Sequence, residues 1–285
     1  MSHRLFESEY KLEGVSVRSP VRGKIMAEAK IGLSTLHCLS QPFKEMTRII
    51  ANAKTAYLEI VDEGLHALDK RRVKILDELA SSYGLEYSVH APFADINVAS
   101  PSKPILKAIL KRMKKSIINA SSLDCKTWVF HPGLKTGVSM FYPREDWKQN
   151  LKTIRLLHRF AKDRGVEATL ENVPEPFPFL MKTVEDFQRF YAEINEDIGL
   201  AFDIGHANIN EQIEDFFEQF PTKIVHIHAH DNHGENDEHL GVGFGTVDWN
   251  KVANLLRIIS YDGIIIVESI EQLGESVGKL KELLA

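Results

Sequence analysis

Only two cysteines, Cys38 and Cys125, occur in 285 residues, too few for a disulfide framework and too far apart for a zinc knuckle or a redox pair. That scarcity points to a reduced compartment, and a cytoplasmic location is the expectation. Long apolar runs are also missing. The uninterrupted apolar stretches fall far short of a membrane span, and the start, MSHRLFESEYKLEG, has no signal-peptide core. Nor is there a basic excess: 35 Lys and Arg against 40 Asp and Glu leave a formal net charge of -5, so no global field draws the chain to nucleic acid or to anionic membrane. The 17 glycines and 11 prolines form no linker, and no repeat or low-complexity tract divides the chain. A single domain follows, and 44% hydrophobic residues supply it with a sizeable core.

Histidine, by contrast, is concentrated. From His228 to His239 the chain reads His-Ala-His-Asp-Asn-His-Gly-Glu-Asn-Asp-Glu-His, directly after the apolar run Ile224-Val225-His226-Ile227. Imidazoles and carboxylates at this density are hard to justify as packing and are the side chains that hold divalent metals.

Eight apolar runs of strand length alternate with amphipathic segments of helix length, the pattern of parallel βαβ units. They are Ile31–Thr35, Tyr57–Val61, Tyr87–His90, Thr127–His131, Ala168–Glu171, Leu200–Asp203, Ile224–His228 and Ile264–Glu268. Eight is the number that closes a barrel, so the expected fold is an α/β single (β/α)8 TIM barrel over residues 31–285. Residues 1–30 form a short N-terminal extension in which Leu12–Val21 suit a hairpin or a cover for the barrel floor. Between the third and fourth runs, Ile105, Leu106, Ile109, Leu110, Met113 and Ile117 recur at helical spacing, while Lys107, Lys111, Arg112, Lys114 and Lys115 take a face read as plain solvated surface. Thr183, followed by Glu185 and Asp186, marks a capped helix start.

Six runs end in a metal-competent or acid-base side chain: His90, His131, Glu171, Asp203, His228 and Glu268. In a closed parallel barrel the carboxyl ends of all strands open on one face, so these scattered residues are expected to meet. Taken singly, each reads as a hydrogen-bonded histidine or a helix cap. Gathered in one mouth, the carboxylates would repel one another and raise one another's pKa unless a cation offset them. Nitrogen and oxygen ligands without thiolate suit zinc or manganese best, with magnesium, iron and cobalt also open. His226 is expected to support or pack beside the site, His230 and His233 to lie in a loop within reach of substrate, and His37, His66 and His158 to be ordinary.

Several motifs together resemble the endonuclease IV and xylose isomerase-like TIM-barrel superfamily, which includes AP endonuclease family 2 and the sugar phosphate isomerase/epimerase-like proteins. They are Ser88-Val-His-Ala-Pro-Phe93, Phe130-His-Pro-Gly133, Leu170-Glu-Asn-Val173, Phe202-Asp-Ile-Gly-His-Ala207, His228-Ala-His-Asp231, Asp237-Glu-His-Leu-Gly-Val-Gly243 and Val267-Glu268. By this resemblance His90, His131 and Glu171 would hold one ion, Glu171, Asp203, His228 and Glu268 a second, and His206, Asp237 and His239 a third. The sugar-isomerase branch implies one ion, commonly manganese, on Glu171, Asp203, His228 and Glu268. One to three Zn2+ or Mn2+ ions are therefore expected. The chain departs from the nuclease in its first loops. Val61-Asp-Glu-Gly-Leu65 leads almost directly into a helix, and Leu33-Ser-Thr-Leu-His37 lacks the Gly-rich form. Phe93 replaces a usual Tyr, and Phe244 stands where related chains often carry Glu.

Two activities remain open at this point. An isomerase or epimerase of a small sugar or sugar phosphate would use Glu171 and Glu268 as acid and base at carbon, with His206 orienting hydroxyls and His230, Lys135 and Phe93 touching substrate. An endonuclease IV-like phosphodiester hydrolase acting on abasic DNA would use the same cluster to activate water, with Glu171 bridging two ions. The loop chemistry favours the first. Oligomeric state cannot be read from the sequence.

Overall fold

A computed structural model describes residues 30–285. The expected extension and the Leu12–Val21 hairpin lie outside the described residues, apart from Lys30, which opens the first strand. The strands are β1 Lys30–Ser34, β2 Tyr57–Val61, β3 Glu86–His90, β4 Thr127–Phe130, β5 Glu167–Glu171, β6 Leu200–Asp203, β7 Ile224–Ala229 and β8 Ile264–Val267. All pair in parallel in sequence order, and β1 closes on β8 with Lys30 opposite Ile264 and Leu33 opposite Val267. This is a (β/α)8 barrel whose strands match the expected runs to within one residue at each end. Three one-residue differences bear on the site: His131 and Glu268 sit just past β4 and β8, and His228 is followed by Ala229 within β7.

The helices are α1 Phe43–Ala51, α2 Lys70–Tyr83, α3 Lys103–Ser122, α4 Glu145–Lys162, α5 Val184–Ile194, α6 Ile204–Ile209, α7 Ile213–Gln219, α8 Trp249–Ile258 and α9 Leu273–Leu284. Their apolar stripes cover the outside of the barrel, where the largest buried side chains lie. Trp128 and Phe130 of β4 stack at 5.0 Å, and the Trp128 indole N–H donates to Ser116 Oγ of α3 at 3.0 Å. Phe202 of β6 stacks on Phe216 of α7 at 5.1 Å. Fully burying an aromatic of this size stabilises the fold by about 2–3 kcal/mol. At the start of α5 the expected cap is a reciprocal box: Thr183 Oγ1 accepts from the Asp186 N–H, and Asp186 Oδ2 accepts from the Thr183 N–H at 3.2 Å.

The basic face of α3 requires a correction. It is not solvated throughout, because Arg112 reaches under the barrel-end loop to the fully buried Asp62, donating to Oδ2 at 3.0 Å and to Oδ1 at 2.7 Å. Asp62 Oδ1 also accepts from the Leu68 N–H at 2.6 Å, so this ion pair pins the loop between β2 and α2. Sequence periodicity identifies the face of a helix but not the loop that folds over it. Removing one partner of a buried pair strands the other charge, at a cost of about 3–5 kcal/mol. Arg112→Ala is accordingly expected to lose about 3 kcal/mol in urea unfolding, whereas Lys107→Ala, exposed on the same helix, is expected to change stability by less than about 0.5 kcal/mol. Equal effects of the two substitutions would refute this role for Arg112.

Candidate active site

In a strand, residues two apart face the same side, so His226 and His228 of β7 both point into the barrel. His90, Glu171 and Asp203 close their strands in the same sense, and the mouth collects all of them. Glu171 lies at the centre. Its Oε2 is 3.2 Å from His90 Nε2 and 3.1 Å from His131 Nε2, and its Oε1 is 3.0 Å from His228 Nδ1. His228 Nδ1 in turn lies 3.5 Å from Glu268 Oε2 and 3.8 Å from Asp203 Oδ2. Beside this group, Asp237 Oδ2 is 3.4 Å from His206 Nε2 and 3.3 Å from His239 Nε2. All nine residues expected from the sequence are brought together in three groups, two of which share Glu171. Ligands held about 2.0–2.2 Å from a tetrahedral ion stand roughly 3.3–3.6 Å apart, close to most of these spacings.

Hydrogen bonding limits how these nitrogen–oxygen contacts can be made. The Nδ1–H of His90 donates to the Ala91 carbonyl at 2.9 Å, that of His206 to the Asn172 carbonyl at 2.8 Å, and that of His239 to the Glu268 carbonyl at 2.9 Å. A neutral imidazole has one N–H, so each Nε2 then aims a lone pair at a carboxylate. Either a second proton or a cation must bridge them, and an imidazole held by a carbonyl through its far nitrogen is the usual arrangement around a bound metal. Asp203 Oδ2, Asp237 Oδ1 and both nitrogens of His230 are moreover buried without a hydrogen-bond partner. Such orphans cost about 1–3 kcal/mol each unless something else satisfies them. The donor set, its spacing and its orphans fit divalent metal.

With protons alone the electrostatics shift strongly. Burial opposes charge on His90, but Glu171 beside it lifts its pKa to about 9. His206 is likewise opposed by burial and raised to about 10 by Asp203 and Asp237. Burial would raise Glu171 and Asp203, yet the imidazoles around them hold both below the ordinary carboxylate range, Glu171 chiefly through His228 and Asp203 chiefly through His206. At His131 burial prevails and the pKa falls.

The site opens into a cavity of about 430 Å³, within the range of small-ligand sites. His90, His131, Glu171, His206, Asp237, His239 and Glu268 line it, whereas Asp203 and His228, both wholly buried, lie outside the lining. Phe93 lines it as expected. Two expected contacts do not: Lys135 is exposed on the loop after β4, with its backbone N–H bonded to the Pro178 carbonyl, and His230 is fully buried. His230 Nε2 instead lies 3.0 Å from Asp203 Oδ1 and 3.7 Å from Asp237 Oδ1, joining the His206, Asp237 and His239 group. Gly205 makes this possible, since a Cβ there would stand 2.1 Å from the His230 ring. His233 is exposed and bonded to Glu238 at 2.9 Å.

Several supporting residues went unrecognised in the sequence. The Asn172 amide brackets Asp203, donating to its carbonyl at 2.9 Å and accepting from its N–H at 2.8 Å. Asp203 also caps α6 through the His206 N–H at 2.7 Å, so its expected bland role as a cap coexists with its place in the site. Asp231 accepts from Trp249 Nε1 at 2.8 Å and from the N–H groups of Gly243 and Val247 at 3.0 and 3.1 Å, clamping the loop that carries Asp237 and His239. The signal the sequence carries for Asp231 is its place in the His228-Ala-His-Asp231 motif.

Residues 48–283 match the family of xylose isomerase-like TIM barrels. The chain belongs to that family. An uncharacterised protein of Methanocaldococcus jannaschii is 34% identical over 267 residues, which is 92% of this chain and 90% of the relative. The crystal structure of a D-tagatose 3-epimerase-like protein superposes with a TM-score of 0.84 at 34% identity, over 90% of this chain and 97% of the other. D-psicose 3-epimerase of Ruminiclostridium cellulolyticum is 23% identical over 231 residues, 78% of this chain and 76% of the relative.

The shifts of His90, His206 and Glu171 give metal-free protein a pH response, which the lowered pKa of His131 opposes around pH 6.5. His90 and His206 are raised in the fold, so the stability they confer is complete below the ordinary histidine value of 6.5 and is lost as pH climbs through about 9 and 10. Glu171 is depressed, so its share is present above 4.5 and is lost as pH falls. The Tm of chelator-treated protein is expected to be highest between about pH 4.5 and 6.5 and to decline towards pH 10, and the stabilisation from added Zn2+ to grow with pH as metal displaces protons. A metal-free Tm that rises from pH 6.5 to 10 would contradict this arrangement.

Proposed function

We propose that the protein is a divalent-metal-dependent epimerase or isomerase of a small unphosphorylated sugar, working by proton transfer at carbon. The observation that carries this reading is the presence of two buried carboxylates, Glu171 and Glu268, both facing Nδ1 of His228 and both lining the same small cavity. Glu171, Asp203, His228 and Glu268 would hold the ion nearest the substrate, and His206, His230, Asp237 and His239 a second. A divalent ion at the first position supplies Lewis-acid polarisation of adjacent substrate oxygens.

The protein groups do the rest. One glutamate, as carboxylate, takes the proton from the carbon next to the substrate carbonyl. The other, as carboxylic acid, returns a proton to the opposite face. Configuration inverts at that carbon, one carboxyl ends protonated and the other ionised, and exchange with solvent restores the starting state. His206 offers only Nε2, because its Nδ1–H is committed to Asn172, so it serves as a ligand or as an acceptor of a substrate hydroxyl. Leu36, Val61, Phe93, Pro174, Phe177, Phe179 and Ile270 supply apolar walls, and among the described residues no lysine or arginine lines the cavity. The walls offer no cationic side chain to a phosphate, which favours a free sugar over a sugar phosphate.

One observation favours phosphodiester hydrolysis instead: the nine expected ligands are all assembled, with Glu171 shared between groups. Against it, the loops after β1 and β2 run through single 3-10 turns, Thr35–Cys38 and Gly64–His66, into α1 and α2. Neither inserts a wedge that would offset the cost of bending and unstacking a duplex, on the order of a few kcal/mol.

In D2O with Mn2+, wild-type protein is expected to wash deuterium into the carbon-bound position next to the carbonyl of a free ketose, read as loss of its proton NMR signal. Glu171→Gln and Glu268→Gln are each expected to slow exchange by roughly 10²–10⁴-fold. Full-rate exchange by Glu268→Gln would remove it as an acid-base group. Incision of abasic duplex DNA, abolished by chelator and by His239→Ala, with no ketose exchanging, would replace this reading with the hydrolase.

A further inference from the structure

Below the cavity the barrel interior holds a carboxylate that the chemistry above does not use. Glu59, in the middle of β2, is wholly buried. Its Oε2 accepts from Ser88 Oγ and from His226 Nε2, each at 2.9 Å, and its Oε1 lies 2.9 Å from His228 Nε2. This last contact is outside hydrogen-bond alignment and neither atom has any hydrogen-bond partner, whereas Nδ1 is aligned with Glu171 Oε1 at 3.0 Å; once an ion takes Nδ1, Glu59 Oε1 is the acceptor at hand for a proton on Nε2. The opposite edge of the same His228 ring, Nδ1, faces Glu171, Glu268 and Asp203.

We propose that Glu59 is a positioning residue that keeps the His228 proton on Nε2 and thereby presents the Nδ1 lone pair to the ion. His228 can bind metal through Nδ1 only in that tautomer. An acceptor below the ring enforces it, and a carboxylate does so more strongly than a carbonyl because the hydrogen bond is charge-assisted. Ser88 and His226 hold the carboxylate in place by occupying its other oxygen. His226 thus has a defined part, as a donor that fixes Glu59. The inference rests on the ion site proposed above.

Replacing Glu59 with Leu removes the acceptor and keeps a side chain of comparable bulk. Its affinity for Mn2+, measured by chelator competition, is expected to fall about 10–100-fold with an unchanged far-UV circular dichroism spectrum. Affinity within twofold of wild type, in a folded variant, would overturn the proposal while leaving the ion site intact; wild-type protein that takes up no Mn2+ would instead defeat the ion site itself. Should Glu59→Leu fail to fold, nitrogen-15 NMR of histidine-labelled, Zn2+-loaded wild type decides the matter. His228 is expected to carry its proton on Nε2, and a proton on Nδ1 would overturn the proposal.

Discussion

Everything at the mouth of this barrel depends on compensating carboxylates that are buried beside the lone pairs of histidines. Glu171, Asp203 and Glu268 are nearly inaccessible to water, and desolvating even one ionised carboxylate is costly unless it is paired. The imidazoles pair them, but three of these rings have already given their Nδ1–H to backbone carbonyls. A positive charge between nitrogen and oxygen is therefore obligatory. Protons meet the need at the expense of strongly displaced pKa values, and divalent ions would meet it while also satisfying the orphaned atoms of Asp203, Asp237 and His230.

The scaffold is arranged to hold these groups where they would otherwise separate. Asn172 ties the end of β5 to the end of β6, and Asp231 gathers the long loop after β7 by several hydrogen bonds. His239 adopts a left-handed backbone with φ of 50°, at a cost on the order of 1–2 kcal/mol, and its ring and carbonyl are both bonded to the segment after β8. The outside of the barrel is packed with aromatics, while its inside carries Glu59, Ser88 and His226 beneath the mouth. Rigidity and chemistry are thus separated across the thickness of one sheet.

Much of this was legible because two periodicities coincide. Apolar runs mark the strands, and the polar residue that ends each run is at once the signal for a strand boundary and the contributor to the site. That is why His90, Glu171 and Asp203, each bland when taken singly, were legible as a set, and why His131 and Glu268 remained part of it although they fall just past their strands. Glu59 was not, because a glutamate in the middle of Tyr57-Leu-Glu-Ile-Val61 looks like an exposed alternation, and only barrel closure brings His226 and His228 against it. His230 was misplaced for the converse reason: it follows the strand and reads as loop, but the glycine at 205 lets its ring sink under the mouth. Arg112 was assigned to solvent because helical periodicity contains no information about the partner Asp62.

The central claim is that cations bridge these nitrogen and oxygen pairs. Anomalous scattering at the zinc and manganese edges, from crystals of protein purified without chelator and supplied with each metal, tests it most directly. The account expects a peak within about 2.0–2.3 Å of His228 Nδ1 and of the Glu171, Asp203 and Glu268 carboxylates. A mouth that stays free of anomalous signal in metal-replete crystals, with the same side chains at unchanged distances, would contradict it.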